Sequence, residues 1–359
     1  MKRFSLSFSS LIFLLFLAVF TNTSIAQNSI DQSRKTAITD AVKIVSPAVV
    51  SIGVKQIVAG QRTYNPFFGV ITTPNQEVES TGSGFIISDD GLVVTNQHVA
   101  GENASSIQIT LSDGSIHEAE LLGSDELTDL SVLKIKDGGP FPFLGFGDSE
   151  SVLVGEWAIA VGNPFGLFKD GQATVTVGVV SGTKRDFKPD PNDPRIYVDM
   201  IQTDAAINRG NSGGPLVNAL GNVIGVNTFI FTGNTNSGFV GLGFAIPSNR
   251  VRKIVEQLIN EGKVRLDYNL GMDFATVTRE LALKYQLPLQ GLLVVTLQKD
   301  GLAYKNGLLP GDIILSINGQ RTLGEPYAWA LLREQDLQKP LDLIIYRNGQ
   351  QLLASIDLK

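Results

Sequence analysis

Short apolar runs of strand type alternate with turn signals from residue 48 to residue 246 of this 359-residue chain. Turns such as Asp90-Gly91, Asp113-Gly114 and Gly221-Asn222 separate the runs. Many short strands at this spacing predict an all-β barrel or sandwich. The runs are Ala48–Val54, Gly84–Ile87, Ile107–Leu111, Leu130–Ile135, Trp157–Val161, Thr174–Val180 and Val223–Asn227.

The segment Gly210-Asn211-Ser212-Gly213-Gly214-Pro215 sets one serine among glycines. Glycine permits the positive φ angles that aim backbone N–H groups at one point. Such N–H groups can hold the oxyanion that forms in acyl transfer. The segment therefore suits a nucleophilic serine, and the alternative interpretation is a structural Gly-rich turn.

The sequence has two histidines, His98 and His117. His98 follows the apolar run Gly91-Leu92-Val93-Val94, which predicts a buried strand. It therefore lies at a strand end beside the core. His117 lies in the turn-rich segment Ser112–Glu118, and we expect its side chain to be solvated. His98 is the candidate base, with a buried structural histidine as the alternative.

Asp129 opens the apolar run Leu130–Ile135. An acid at this position could be buried against an imidazole N–H, fix its tautomer and stabilise the imidazolium. By itself, Asp129 could also be a turn or capping residue. The three candidates occur in the order His98, Asp129, Ser212, with spacings of 31 and 83 residues. That order is the one found in chymotrypsin, and it differs from the orders of subtilisin and the α/β-hydrolases.

The blocks around these three residues resemble the catalytic blocks of HtrA-type (Deg) serine proteases, and three further segments agree with the same family. The resemblance extends over residues 35–359. The six segments are Thr95–Val99, Thr128–Leu130, Asn208–Pro215, Gly82–Ile87, Ala160–Gly166 and Gly243–Pro247.

The resemblance implies two six-stranded barrels, with His98 and Asp129 on the first and Ser212 on the second. The active site would lie in the cleft between the barrels. Ser212 would attack the scissile carbonyl while His98 takes its proton and Asp129 orients His98. Backbone N–H groups of Gly210, Asn211 and Ser212 would form the oxyanion hole. The family is usually trimeric, so the resemblance also implies a homotrimer.

Two residues, Ala206 and Ile207, predict the character of the primary specificity pocket. A trypsin-type pocket carries an acid six residues before the nucleophile, whereas this chain has Ala206 there, with Ile207 beside it. Asp204 is further back and is interpreted as structural. An apolar pocket of modest size predicts cleavage after small aliphatic residues, as the resemblance also suggests.

In residues 268–359 predicted strands are mixed with short predicted helices, and this part of the chain resembles one PDZ domain. Leu270-Gly271-Met272 resembles the carboxylate-binding loop, whose N–H groups receive a peptide C-terminus. The family often has glycine or an aromatic residue before this triplet, whereas this chain has Asn269. The expected fold class is therefore mainly β: a chymotrypsin-like double β-barrel followed by one α+β PDZ domain. The expected divisions are a signal peptide at 1–26, the protease domain at 27–262 and the PDZ domain at 263–359.

The first residues resemble an export signal: Lys2 and Arg3 precede the apolar run Leu11–Phe20, and Ser24-Ile25-Ala26 offers a cleavage site. An uncleaved membrane anchor is the alternative. The formal charge of the chain is −6, and −8 without Lys2 and Arg3, which argues against nucleic acids and anionic membranes as partners. Without cysteine, and with two separated histidines, a metal site is not expected, and neither is any cofactor.

These observations favour an ATP-independent serine endopeptidase of the periplasm that degrades misfolded exported proteins as part of the stress response. Its partners would be unfolded polypeptides and peptide C-termini bound by the PDZ domain. A regulatory sensor protease that cleaves one membrane target on PDZ activation is an alternative. A non-catalytic PDZ-bearing binder or holdase is a third, less favoured because the whole triad is present.

Overall fold

The first of two barrels is built from strands that are mostly apolar on their inward face. In the computed structural model strand β5 (Leu92–Thr95) pairs with strand β8 (Leu130–Ile135), and the pairing of Thr95 with Ser131 ends this ladder. Residues that follow β5 and residues that precede β8 therefore lie at the same end of the barrel. The strands close in the order β1-β4-β5-β8-β7-β6. They are β1 (Val49–Val58), β4 (Gln76–Ile86), β5 (Leu92–Thr95), β6 (Ala104–Thr110), β7 (Ile116–Asp125) and β8 (Leu130–Ile135), with a hairpin of β2 (Arg62–Asn65) and β3 (Gly69–Thr72) between β1 and β4.

The description covers only part of the chain, and the predicted signal segment lies outside it. Within it, no helix combines the length and apolar character needed to cross a membrane. The described residues are 32–58, 62–65, 69–72, 76–163, 173–187, 195–208, 210–230, 241–264 and 268–358.

The second barrel carries the Gly-rich turn directly before its shortest strand. Pro215 pairs with Val226, so the residues before Pro215 lie beside those that follow Val226. The strands close in the order β10-β11-β14-β13-β12-β9. They are β9 (Trp157–Gly162), β10 (Thr174–Phe187), β11 (Tyr197–Thr203), β12 (Pro215–Val217), β13 (Val223–Ile230) and β14 (Gly243–Pro247).

Each barrel has its own apolar interior, and a larger cluster of buried side chains joins the two barrels. Helix α1 (Ala37–Val45) packs on this cluster and begins with a capping box formed by Thr36 and Thr39. The expectation of two closed six-stranded barrels is confirmed.

Helix α2 (Ser248–Glu261) covers the same cluster with an amphipathic face. It ends at Gly262, whose φ of 74° is the left-handed conformation that glycine adopts easily. Serine and asparagine commonly cap helices, but neither Ser248 nor Asn249 does so here: Pro247 is the N-cap, and the Ser248 hydroxyl donates to the Gly147 carbonyl at 2.9 Å. Ile259 is 38% exposed.

The C-terminal residues form one sheet with short helices beside it, as expected for a PDZ domain. The strand order is β15-β16-β17-β19-β20, and β18 pairs with β17. Asn348-Gly349, a residue pair typical of tight hairpin turns, joins β19 to β20. The elements are β15 (Met272–Thr276), α3 (Arg279–Tyr285), β16 (Leu292–Leu297), α4 (Leu302–Lys305), β17 (Ile313–Ile317), β18 (Gln320–Arg321), α5 (Glu325–Arg333), β19 (Leu341–Arg347) and β20 (Gln350–Ile356).

The C-terminal sheet shares its core with the second barrel. Ile196 and Val198 of the barrel belong to the same cluster of buried side chains as the strands and α5 of the C-terminal domain. Two ion pairs border this apolar contact: Arg250 to Glu334 and Arg333 to Asp125, each with a shortest N–O distance of 2.6 Å. All four side chains are largely buried, so the two ion pairs add a defined geometry to the apolar contact between the C-terminal sheet and the barrels.

Asp199 lies in a polar cleft beside this contact, and burial raises its pKa to about 6, with a smaller contribution from Glu150. Lys184 and Arg250 oppose the shift, and Asp186, which accepts the Asp199 N–H at 2.7 Å, adds to it. The folded protein therefore binds a proton that the unfolded chain has already lost between about pH 4 and pH 6. Stability must fall as the pH rises through that window.

We expect Asp199→Asn to raise the free energy of unfolding by about 1–2 kcal/mol at pH 7.5 and to have little effect below pH 4. Asparagine tolerates the φ of 58° found at this position. Thermal unfolding of the variant and the parent at both pH values measures the difference. Asp90→Asn is the control: a hydrogen bond from Lys134 lowers the pKa of Asp90, so this change should give no gain at pH 7.5. An equal gain for Asp199→Asn at both pH values would contradict the prediction.

Candidate active site

His98 and Asp129 meet at the end of the first barrel that the β5–β8 pairing defines. His98 Nδ1 lies 2.9 Å from both carboxylate oxygens of Asp129, and the His98 backbone N–H donates to Oδ1 at 3.1 Å. Asn96 Nδ2 donates to the Asp129 carbonyl at 2.9 Å. The Asp129 side chain is 1% exposed and that of His98 is 34% exposed. A buried carboxylate thus orients an imidazole that stays accessible.

Ser212 reaches this pair through Thr228. Thr228 Oγ1 donates to Asp129 Oδ2 at 2.5 Å, and the Ser212 hydroxyl donates to the Thr228 carbonyl at 3.5 Å. Among the contacts of the described residues, none joins Ser212 directly to His98. Catalytic hydrogen bonds are often long without substrate and shorten on binding. We therefore expect the hydrogen bond between Ser212 and His98 to form when substrate binds.

The turn that carries Ser212 is held by its own backbone and by β13. The Asn211 N–H donates to the Asn208 carbonyl at 3.1 Å, and the Gly213 N–H donates to the Asn227 carbonyl at 2.8 Å. Of the three N–H groups expected in the oxyanion hole, that of Asn211 is thus already engaged. We therefore propose that the oxyanion would be held by the N–H groups of Gly210, whose φ is 113°, and Ser212.

Ser83 of β4 joins the turn to the first barrel. Its N–H donates to the Ser212 carbonyl at 3.0 Å, and its buried hydroxyl donates to the Gly210 carbonyl. The backbones approach so closely that a Cβ on Gly213 would lie 2.2 Å from the Ser83 carbonyl oxygen. Only glycine fits there, which explains one glycine of the motif. Sequence reasoning missed Ser83 and Thr228, although Ser83, like Ser212, stands next to glycine.

The residues predicted to line the specificity pocket lie beside the same turn. The Ala206 carbonyl accepts hydrogen bonds from Thr176 Oγ1 at 2.7 Å and from Asn211 Nδ2 at 3.2 Å. Ile207 is 1% exposed and packs so close to Gly243 that a Cβ there would lie 2.9 Å from Ile207 Cδ1. Asp204 accepts the Val179 N–H at 2.7 Å, which agrees with a structural role. Ile207 thus belongs to the buried core of the second barrel, whereas Ala206 is partly exposed.

A second serine, histidine and aspartate come together at the surface of the first barrel. His117 lies on β7, with Nε2 3.1 Å from Ser115 Oγ and Nδ1 3.3 Å from Asp137 Oδ1. Its side chain is 18% exposed and packs edge-on against Phe141, so the expectation of a solvated side chain is wrong. The Ser115 hydroxyl donates to Asp113 at 2.6 Å, so its proton is directed away from the imidazole. This group therefore lacks the geometry of an activated nucleophile.

The triplet Leu270-Gly271-Met272 leads into β15, the edge strand of the C-terminal sheet. Helix α5 lies next to β15, because the Phe274 and Trp329 rings approach to 5.0 Å between centroids. The triplet is therefore at one end of a groove between a strand edge and a helix, which is the arrangement in which PDZ domains bind peptides. The described residues include no group of three His, Cys, Asp or Glu side chains placed to hold a metal ion.

Comparison with protein families supports the same two parts. Residues 82–226 match the family described as Trypsin-like peptidase domain, and residues 293–347 match the PDZ domain. The first range includes the candidate triad, and the second spans the C-terminal domain from β16 to β19.

Two relatives carry the name "Probable periplasmic serine endoprotease DegP-like". The one from Chlamydia trachomatis is 46% identical over 265 residues, which is 72% of this chain and 50% of the relative. The one from Pseudomonas putida is 41% identical over 340 residues, which is 87% of this chain and 68% of the relative. The chain spans about half the length of the first of these curated relatives.

A solved structure described as HtrA-type protease AlgW with decapeptide is similar to this chain, with a TM-score of 0.63 and 36% identity. The likeness covers 90% of this chain and 98% of that structure. Both barrels and the C-terminal sheet therefore have counterparts in one solved protein.

We expect Thr228→Val to slow the reaction of Ser212 with a fluorophosphonate about tenfold, because Asp129 loses a charge-assisted hydrogen bond that holds the pair in place. Thr228→Ser keeps the hydroxyl and should react at nearly the parental rate. Second-order labelling rates of the purified variants give the measurement. Equal rates for the valine and serine variants would show that the hydroxyl does not position Asp129.

The absence of an acid at Ala206, with Ile207 beside it, predicts cleavage after small aliphatic residues. Mass spectrometry of the products from an unfolded substrate would identify the residue that precedes each cut. Ala206→Asp would add an acid at the trypsin-type position and should raise the share of cuts after Lys and Arg. Parental cleavage that falls mainly after Lys and Arg would contradict the assignment of the pocket.

Proposed function

This chain belongs to the HtrA-type (DegP-like) family of serine proteases, and we propose that it is an ATP-independent serine endopeptidase of the periplasm. Its substrates would be misfolded exported proteins, and its C-terminal domain would bind peptide segments, including the free C-termini of polypeptides. The observation that carries the proposal is the meeting of His98 and Asp129 from one barrel with Ser212 from the other through Thr228. The names of the relatives support the periplasmic location.

In the proposed mechanism the Ser212 oxygen attacks the scissile carbonyl while His98 takes the hydroxyl proton. Asp129 keeps the imidazole oriented and stabilises its cationic form. The N–H groups of Gly210 and Ser212 bind the developing oxyanion. His98 then gives the proton to the leaving amine, and water releases the acyl group by the same path. The shift of Ser212 from the Thr228 carbonyl towards His98 is the conformational change that this mechanism requires.

The regulatory alternative is favoured by one specific contact. Asp125 accepts hydrogen bonds from the Thr128 N–H at 3.0 Å and from Thr128 Oγ1 at 2.8 Å through one oxygen, and pairs with Arg333 of α5 through the other. The same carboxylate thus touches the C-terminal domain and the turn that leads into Asp129. A protease whose activity depends on peptide binding to that domain could use such a link.

The two protease functions differ in how they respond to peptides. A general degradative enzyme should digest an unfolded substrate without added peptide. A sensor protease should remain slow until a peptide with a hydrophobic C-terminus is added. Initial digestion rates with and without such a peptide therefore separate them.

Ser212→Ala should lower kcat by at least about 10³-fold, because a triad without its nucleophile keeps only binding and oxyanion stabilisation. A fluorophosphonate should label Ser212 in the parent and nothing in the variant, as mapped by mass spectrometry. Ser115→Ala is a matched control, since Ser115 also contacts a histidine, and it should leave both labelling and kcat unchanged. Near-full proteolysis by Ser212→Ala would refute the proposed enzyme and favour a non-catalytic binder.

A further inference from the structure

The groove beside β15 is open to an added strand. In the described sheet β15 pairs with β16 alone, so its other edge faces the groove. Helix α5 borders that edge: the Glu325 N–H donates to Thr276 Oγ1 at 2.9 Å, and Trp329, 39% exposed, lies against Phe274. An extended peptide can therefore bond to the strand edge and place its side chains against the helix.

The loop at the end of this groove is held in one conformation. The Leu270 carbonyl accepts the Ala303 N–H at 2.9 Å, and the Gly271 carbonyl accepts the Gln298 N–H at 2.8 Å. Gly271 has a φ of 66°, a left-handed conformation that turns successive N–H groups towards one concavity. Such a concavity binds anions, and in PDZ domains it receives the carboxylate of a peptide.

One of these N–H groups is already used within the protein itself. Asn269 Oδ1 accepts the Gly271 N–H at 2.8 Å. Gly271 is the central residue of the triplet Leu270-Gly271-Met272, so the amide oxygen takes the central donor of the loop. A peptide carboxylate that binds there must first displace the Asn269 side chain, which is solvent-exposed.

We propose that Asn269 is a built-in competitor for the peptide carboxylate, so that the groove distinguishes poorly between a free C-terminus and a blocked or internal segment. The inference rests on the proposed peptide binding by this domain. A carboxylate makes a stronger hydrogen bond than a neutral amide oxygen, so it can displace the Asn269 side chain. The net gain in binding free energy is smaller, because the hydrogen bond between Asn269 and Gly271 is lost. Contacts along β15 and α5 do not depend on the carboxylate and keep their contribution.

The test compares a fluorescent decapeptide with a hydrophobic C-terminal residue, as the free acid and as the C-terminal amide. Fluorescence anisotropy with the purified full-length protein measures both affinities. Asn269→Gly should bind the free acid about three- to tenfold more tightly than the parent does, with the amide unchanged. Asn269→Asp keeps an acceptor and adds a negative charge, so it should bind the free acid more weakly than the parent does.

Asn218→Gly is the matched control. Asn218 Oδ1 accepts the Leu220 N–H at 3.0 Å in the second barrel, which is the same kind of contact far from the groove. Neither peptide affinity should change in this variant, and thermal unfolding would verify that all three variants fold.

Two failures can be told apart. If the parent already prefers the free acid more than tenfold and Asn269→Gly leaves that ratio unchanged, the competitor role of Asn269 is wrong while peptide binding stands. If neither peptide binds the parent or Asn269→Gly, the proposed peptide binding fails, and the inference fails with it.

Discussion

The carboxylate of Asp129 is contacted by side chains from both barrels, so its hydrogen bonds depend on the relative position of the barrels. Removing an ionised carboxylate from water costs several kcal/mol unless close partners replace the lost hydration. Here the partners come from both sides: His98 from the first barrel and Thr228 from the second. The backbone of Asp129 adopts a φ of 58°, which few residues other than glycine and Asp or Asn tolerate. The surrounding contacts hold this unusual conformation, so the orientation of His98 depends on how the barrels pack together.

Close packing of backbones is the second condition for the site. Ser83 bonds to the carbonyls of Gly210 and Ser212, and its own hydroxyl accepts the Asn163 N–H at 2.7 Å. One buried side chain therefore connects β4, the end of β9 and the nucleophile turn. The absence of a side chain at Gly213 makes this approach possible. The conformation of the turn that would hold the oxyanion thus depends on the contact between the barrels.

The sequence predicted the parts of this fold that depend on local patterns. The apolar run Leu130–Ile135 identified β8 at its observed bounds, because a strand buried on both faces leaves a continuous apolar run. The expectation of a solvated His117 was wrong because a tertiary partner, Phe141, packs against its ring. At the start of α2, the Gly147 carbonyl likewise takes the Ser248 hydroxyl that could have capped the helix. The roles of Ser83 and Thr228 arise from contacts across 127 and 99 residues, which no local pattern reveals.

The order of His98, Asp129 and Ser212 in the sequence suggests a triad, but the contacts that hold these residues in place cannot be predicted from the sequence. Thr128 illustrates the difference, because in the sequence it is only a neighbour of Asp129. In the structure its N–H and hydroxyl bond to Asp125, whose other oxygen pairs with Arg333. Without Arg333, only the hydrogen bonds from the turn would stabilise the negative charge of the buried Asp125 carboxylate. A movement of α5 that displaced Arg333 would therefore alter the hydrogen bonding of Asp125 and of the turn that leads into Asp129.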